Sequence, residues 1–190
     1  MRDTVFVFAR APRLGTVKRR LAAGIGACAA LQFYRGALAA TLRCLAADRR
    51  FDTVVAITPH AARGPWRRGM AHVPQGGGDL GQRMHRATQR GRRVAIVGSD
   101  IPDLRADDVA RAFRFLGRAH ACFGPAEDGG YWLVALGPRR PATPFARVRW
   151  SSEHALVDTL KNFARRPVAL LRTLHDVDTA ADFARLRRQL

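Results

Sequence analysis

Lysine and glutamate are nearly missing from this 190-residue sequence: only Lys18 and Lys161 are lysines, and only Glu127 and Glu153 are glutamates. Cysteine is scarce too. Cys28, Cys44 and Cys122 are odd in number, far apart and without a C-x-x-C pair, which argues against a disulfide framework or a structural zinc site. Small apolar packing is the expected role of all three. No apolar run approaches the ~20 residues of a membrane span. The N-terminal stretch Val5 to Ala9 is shorter than the roughly 7–15 apolar residues of a secretory signal. These absences predict a soluble, cytoplasmic chain. G-x-S-x-G, H-E-x-x-H and G-x-G-x-x-G are all absent, and the histidines are not at metal-ligand spacing. A hydrolase triad, a zinc protease and a dinucleotide-binding oxidoreductase therefore lack motif support.

What the chain has in excess is positive charge, +18 at pH 7. Such a field attracts anions, from nucleotides to nucleic acid or a membrane surface. The arginines, however, are spread along the chain in short pairs such as Arg19-Arg20, Arg67-Arg68 and Arg92-Arg93, with no run of five. Few aromatics interleave with them, so the excess reads as compositional rather than as a nucleic-acid footprint. An apolar share of 47% over this length suits one core of ordinary size. One domain over residues 1–190 is expected.

Thr4 to Ala9 is apolar on both faces, as in a strand buried inside a parallel sheet. Further strands are expected at Thr53–Thr58, Val94–Gly98, Ala121–Gly124, Tyr131–Leu136 and Pro167–Leu174, with Trp66–Pro74 irregular or carrying a short one. Helical spacing marks Ala27–Ala47, where Leu31, Tyr34, Leu38, Leu42 and Leu45 share a face. It also marks Asp79–Arg90, Asp107–Leu116, Ser152–Ala164 (Ser151 or Ser152 as N-cap) and Ala180–Leu190. This alternation predicts an α/β fold, a three-layer sandwich around a mostly parallel mixed sheet.

In open α/β sheets, ligands sit beyond the carboxyl ends of the strands, so loops following strands carry the chemistry. The loop after the first strand brings Arg10, Pro12, Arg13, Gly15, Lys18, Arg19 and Arg20 into one small region. Close backbone approach at Gly15 and a compact lysine charge suit a phosphate chain, although P-loop spacing is absent. Ser99-Asp100-Ile101-Pro102 follows the Val94 strand. A carboxylate there can hold a divalent cation against phosphates, or cap the next turn. Glu127-Asp128-Gly129-Gly130-Tyr131-Trp132 offers adjacent carboxylates as a base or metal partner, but Asp-Gly-Gly is also hairpin chemistry. Gly76-Gly77-Gly78-Asp79 precedes a helix bearing Arg83, which can meet a phosphate, while Asp79 suits an N-cap. In Asp176-Val177-Asp178-Thr179, Asp178 suits a cap or a second metal ligand.

Taken in order, these segments resemble a bacterial family of the nucleotide-diphospho-sugar transferase superfamily, with a glycosyltransferase A-type fold. The family pattern A-P-x-x-G-x-V-K-T-R-L is matched at Ala11-Pro12, Gly15, Val17-Lys18, Arg20 and Leu21. Q-x-x-G-D-L-G-x-R-M is matched at Gln75, Gly78 to Gly81, Arg83 and Met84, and G-S-D-x-P at Gly98 to Pro102. G-P-A-x-D-G-G-Y-x-L, W-S and D-x-D-T are matched at Gly124 to Leu133, Trp150-Ser151 and Asp176 to Thr179. Two positions depart from the pattern. Arg10 replaces a lysine and keeps the charge, whereas Arg19 replaces a threonine and removes a hydroxyl able to touch a phosphate or metal.

The resemblance implies a transferase using a nucleotide-activated donor with Mg²⁺ or Mn²⁺, glycosyl transfer being favoured over nucleotidyl transfer from a triphosphate. Asp100 inherits the metal role, with Asp128 or Asp178 supplying a second ligand. Arg10, Pro12, Gly15, Lys18, Arg20, Gly78, Asp79 and Arg83 would hold the nucleotide and its phosphates. Asp128 or Glu127 would orient or deprotonate a small-molecule acceptor in a pocket lined by Gly129, Gly130, Tyr131 and Trp132. A basic nucleic-acid-binding protein, and a family member that binds ligand without turnover, are the competing readings.

Overall fold

The computed structural model describes residues 2–59 and 69–188. Strand β1 (Thr4–Arg10) sits near the middle of its sheet, and its alternation decides both faces. Val5 and Val7 point into one apolar layer with Leu38, Leu42, Val109 and Phe113. Phe6 points into the other with Met84, Phe123 and Phe163. The same division repeats in β2 (Asp52–Thr58), β4 (Val94–Val97) and β6 (Tyr131–Leu136). Two-sided burial explains why these strands read as continuous apolar runs. Each fully buried leucine or phenylalanine contributes about 1.5–3 kcal/mol of transfer free energy.

Among the described residues seven strands form one sheet in the order β3-β2-β1-β4-β6-β5-β7. Here β3 is His72–Pro74, β5 Ala121–Pro125 and β7 Val168–Leu170. Strand β6 runs against β4 and β5, and the remaining pairs are parallel. The helices are α1 (Arg19–Ile25), α2 (Ala27–Ala46), α3 (Leu80–Thr88), α4 (Ala106–Phe115), α5 (Ala155–Lys161) and α6 (Ala180–Arg187). Together they make the expected three-layer sandwich. None of the described helices is long and apolar enough to cross a membrane.

Several local expectations are corrected. Helix α1 is an additional element, separated from α2 by Gly26 at φ 86 and ψ 151, a backbone geometry that breaks helical continuity. Helix α5 starts after His154, not after Ser151 or Ser152. Ser151 holds a left-handed backbone (φ 58), and the Ser152 hydroxyl is engaged locally, donating to Arg149 O at 2.7 Å. The last strand covers only three residues, extended by a single bridge from Leu174 to Ala126. Cys122 is buried as expected, but Cys28 is exposed. Of the stretch Trp66–Pro74, residues 66–68 lie outside the described residues, as does the Arg67-Arg68 pair.

Candidate functional site

Chain order in the sheet reverses between β1, which leads outward to β2 and β3, and β4, which starts the other half. The loops leaving these two neighbours diverge and open a crevice at their carboxyl ends, where ligands bind in this architecture. Because β6 is reversed, the β5–β6 hairpin places its turn at the same edge, and the segment after β7 arrives there too. The crevice has two lobes of about 480 and 630 Å³. They share Phe8, Arg20, Gly98, Asp100, Ser151 and Asp178.

The larger lobe is basic. Arg10, Thr16, Lys18, Arg19 and Arg20 line it, from the end of β1, the loop that follows and the start of α1. Gly15 turns that loop at φ +73. Its base is fixed by Tyr34 of α2, whose hydroxyl accepts the Arg10 N–H at 2.9 Å and lies 3.2 Å from the Ser99 hydroxyl. One α2 side chain therefore ties the loop after β1 to the loop after β4.

Lys18 stands at the junction of the lobes. Its side chain is only 5% exposed, and its ammonium lies 2.6 Å from both Asp100 Oδ2 and Asp178 Oδ1. The Lys18 backbone is left-handed (φ 48, ψ 49), a conformation few non-glycine residues adopt. Burial works against its charge, but the facing Asp100 and Asp178 carboxylates outweigh that and hold the ammonium above its ordinary range. Arg20 approaches the other oxygen of Asp178 at 3.7 Å from an exposed position. Asp176 stands beside this group. Burial, with repulsion from Asp178, Asp128 and Asp100, pushes its carboxyl up to about 6 against the opposing pull of Lys18.

Two carboxylates converging on one cationic point suit a divalent ion whose other ligands are water and phosphate oxygens. Among the described residues no three His, Cys, Asp or Glu side chains gather closely enough to hold a metal by themselves. The donor set fits a metal that arrives with a phosphate-bearing ligand, and does not fit an all-protein cage.

The smaller lobe combines acid with apolar wall. Asp100, Asp128, Asp176 and Asp178 line one part, while Phe8, Leu80, Met84, Tyr131 and Trp150 line the rest. Asp128 lies in the hairpin turn, where its Oδ1 accepts the Gly130 N–H at 2.9 Å. Burial drives the Tyr131 phenol above its ordinary range, against a weak contact with the Thr159 hydroxyl at 3.5 Å. The Trp150 ring meets Tyr131 edge-on at 6.4 Å. Trp132 forms deep wall: it is 2% exposed, and its indole N–H donates to Arg172 O.

Of the residues singled out in the sequence, the crevice brings together Arg10, Lys18, Arg20, Asp100, Asp128, Gly130, Tyr131, Trp132 and Asp178. Others lie apart. Glu127 lines a separate groove, with its Oε2 2.9 Å from His175 Nδ1. Gly78 and Asp79 line a third groove. There Asp79 caps α3 in a reciprocal box with Gln82, and Arg83 donates to Gly78 O. Pro12 is buried beneath the first loop, and Gly129 packs its backbone on Glu153. Asp176 and Ser151 were not singled out as site residues. The D-V-D spacing of Asp176 and Asp178 was the available signal for the former. Ser151 stood only as a candidate helix cap and within the W-S match, and nothing in sequence predicted its left-handed turn.

The sheet order and the crevice at the reversal point define an α/β protein of the glycosyltransferase A-like fold class. The chain belongs to the bacterial family described as "Uncharacterized protein conserved in bacteria (DUF2064)", whose model matches residues 41–152. The crystal structure of a candidate nucleotide-diphospho-sugar transferase from Desulfovibrio desulfuricans G20 is similar at TM-score 0.91 and 31% identity. That match covers all of this chain and 88% of the other. Two more distant structures share the fold. One is 2-C-methyl-D-erythritol 4-phosphate cytidylyltransferase from Thermus thermophilus, at TM-score 0.60 and 17% identity, covering all of this chain and 98% of that one. The other is Rv0371C complexed with manganese from Mycobacterium tuberculosis H37Rv, at TM-score 0.59 and 18% identity, covering all of both chains. No curated protein matches the sequence.

Proposed function

We propose that this protein is a metal-dependent transferase that takes a nucleotide-activated donor and passes a sugar from it to a small-molecule acceptor. The Lys18–Asp100–Asp178 constellation carries the reading, because it sits between a cationic lobe shaped for phosphates and an acid-lined lobe shaped for an acceptor. The name of one relative, a nucleotide-diphospho-sugar transferase, accords with it, whereas that of the cytidylyltransferase accords with the second reading given below.

Arg10, Lys18, Arg19 and Arg20 would neutralise the donor diphosphate. Preorganised charge of this kind stabilises a leaving group in the transition state. Asp100 and Asp178 would hold Mg²⁺ or Mn²⁺, which, when bound, supplies further positive charge at the departing phosphate. Asp128, pinned by the Gly130 N–H, would accept the proton of the acceptor hydroxyl as its oxygen attacks the anomeric carbon. The bond from that carbon to the diphosphate breaks, and nucleoside diphosphate leaves. Tyr131 and Trp150 would form the acceptor wall. Glu127 faces another groove and takes no part.

Nucleotidyl transfer is the second reading. The number of arginines after β1 also suits a triphosphate, and the product would then be pyrophosphate. Release of nucleoside diphosphate or of pyrophosphate distinguishes the two. Asp100→Ala is expected to abolish the metal-dependent part of nucleotide binding in calorimetric titration; full retention would remove Asp100 from the cation site.

A further inference from the structure

We propose that the Lys18 ammonium is the resident cation of the Asp100–Asp178 pair, and that a divalent ion enters only as a polyphosphate draws Lys18 away. The proposal rests on the cation assignment made above. Its geometric basis is that one ammonium, 5% exposed, bridges two carboxylates at 2.6 Å each, in the space between them that a metal would need. An ammonium and a divalent ion cannot share that point. The side chain also has somewhere to go. Lys18 lines the basic lobe together with Arg10, Arg19 and Arg20, where a phosphate chain would offer its ammonium new oxygens. Two carboxylates without a third protein ligand hold a divalent ion weakly until phosphate oxygens complete the shell. Both effects point the same way: donor and metal bind together, and metal alone is excluded.

The scarcity of lysine makes the exchange directly visible. With isotope-labelled lysine the protein has two side-chain ammonium signals, from Lys18 and Lys161. Lys161 pairs with Asp158 at 2.9 Å and is 67% exposed, so it serves as the internal reference. Inorganic tripolyphosphate without metal is expected to shift the Lys18 resonance and leave that of Lys161 in place. Free-Mn²⁺ paramagnetic resonance then measures binding of the metal alone. Lys18→Met should bind Mn²⁺ more tightly than wild type by a factor within the about 5–150-fold range of typical site coupling. Arg20→Met is the control, since it removes the same charge 3.7 Å from Asp178 without vacating the bridge, and should gain less than about fivefold.

A Lys18 resonance indifferent to tripolyphosphate would overturn the proposal. So would equal Mn²⁺ affinity in wild type and Lys18→Met, or an Arg20→Met variant matching Lys18→Met. A folded Lys18→Met that binds no Mn²⁺ would instead defeat the cation assignment itself, and this inference with it. Should Lys18→Met not fold, the resonance measurement on wild type decides alone.

Discussion

Gly129 shows how closely single residues set the crevice. Its φ is +83, and a Cβ there would collide with Glu153 O, so both the backbone angle and the neighbouring chain demand glycine. Its carbonyl accepts the Leu156 N–H at 3.0 Å, which joins the turn bearing Asp128 to the first turn of α5. Gly129→Ala is expected to destabilise by at least the roughly 1–3 kcal/mol of a strained backbone position, read as a lower urea midpoint with unchanged slope. An unchanged midpoint would mean that the turn and α5 are not locked together. At this scale the sequence was informative about chemistry and poor about direction. Lys18, Asp100, Asp128 and Asp178 were legible because charged residues in loops after apolar strands have few other places to be. Glu127 and Asp128 are neighbours in sequence yet face different grooves, and no spacing rule resolves where a turn aims each side chain.

At the scale of elements, α1 and α6 bring the two partners of the Lys18–Asp178 ion pair together. Lys18 immediately precedes α1 and Asp178 lies just before α6, and the helices pack closely enough that a Cβ on Gly24 would sit 2.5 Å from Ala180 Cβ. Leu21, Ala30 and Val177 form the small core beneath them. Helix α6 begins with a reciprocal box: the Asp182 N–H donates to the Thr179 hydroxyl, while Asp182 Oδ2 accepts the Thr179 and Asp178 N–H groups. Burial acts to raise the Asp182 carboxyl, but hydrogen bonds from the Thr179 hydroxyl and from the Thr179 and Asp178 N–H groups outweigh it and set it to about 2. A carboxylate depressed on folding adds stability above its unfolded value near 4 and loses it as pH falls through the folded value. Asp182→Asn should therefore cost about 1 kcal/mol at neutral pH, the usual worth of a cap. The difference should shrink as pH falls toward 2 and vanish only below it in thermal or urea unfolding; a gap that persists there would place the effect elsewhere. Helix α1 escaped the sequence reading because Gly26 and an arginine-rich first turn obscure its apolar face. The reversed direction of β6 was signalled only by the hairpin chemistry of Asp128-Gly129-Gly130, since alternation looks the same in either sense. The capping boxes, by contrast, rest on local hydrogen bonds, and Asp79 was legible from sequence for that reason.

For the whole molecule the fold was the most legible level, since strands buried on both faces alternating with amphipathic helices admit few other arrangements. The excess charge becomes interpretable only with the structure. Arginines occur throughout, but Arg10, Arg19 and Arg20 line one lobe of the crevice while four aspartates line the other. The global +18 charge speeds the approach of any anion and is screened beyond about 8 Å at physiological salt; the local polarity is what would select a ligand. The most direct test is thermal unfolding against nucleoside triphosphates and nucleotide-sugars, with and without Mn²⁺ or Mg²⁺, at low and moderate salt, with Asp100→Ala and a generic DNA duplex as controls. A ligand at 100 times its dissociation constant stabilises by about 2.7 kcal/mol. The account predicts stabilisation of that order by one nucleotide class, dependent on metal, persisting at moderate salt and lost in Asp100→Ala. Stabilisation by DNA alone, fading steeply with salt, or no stabilisation by any nucleotide, would contradict it.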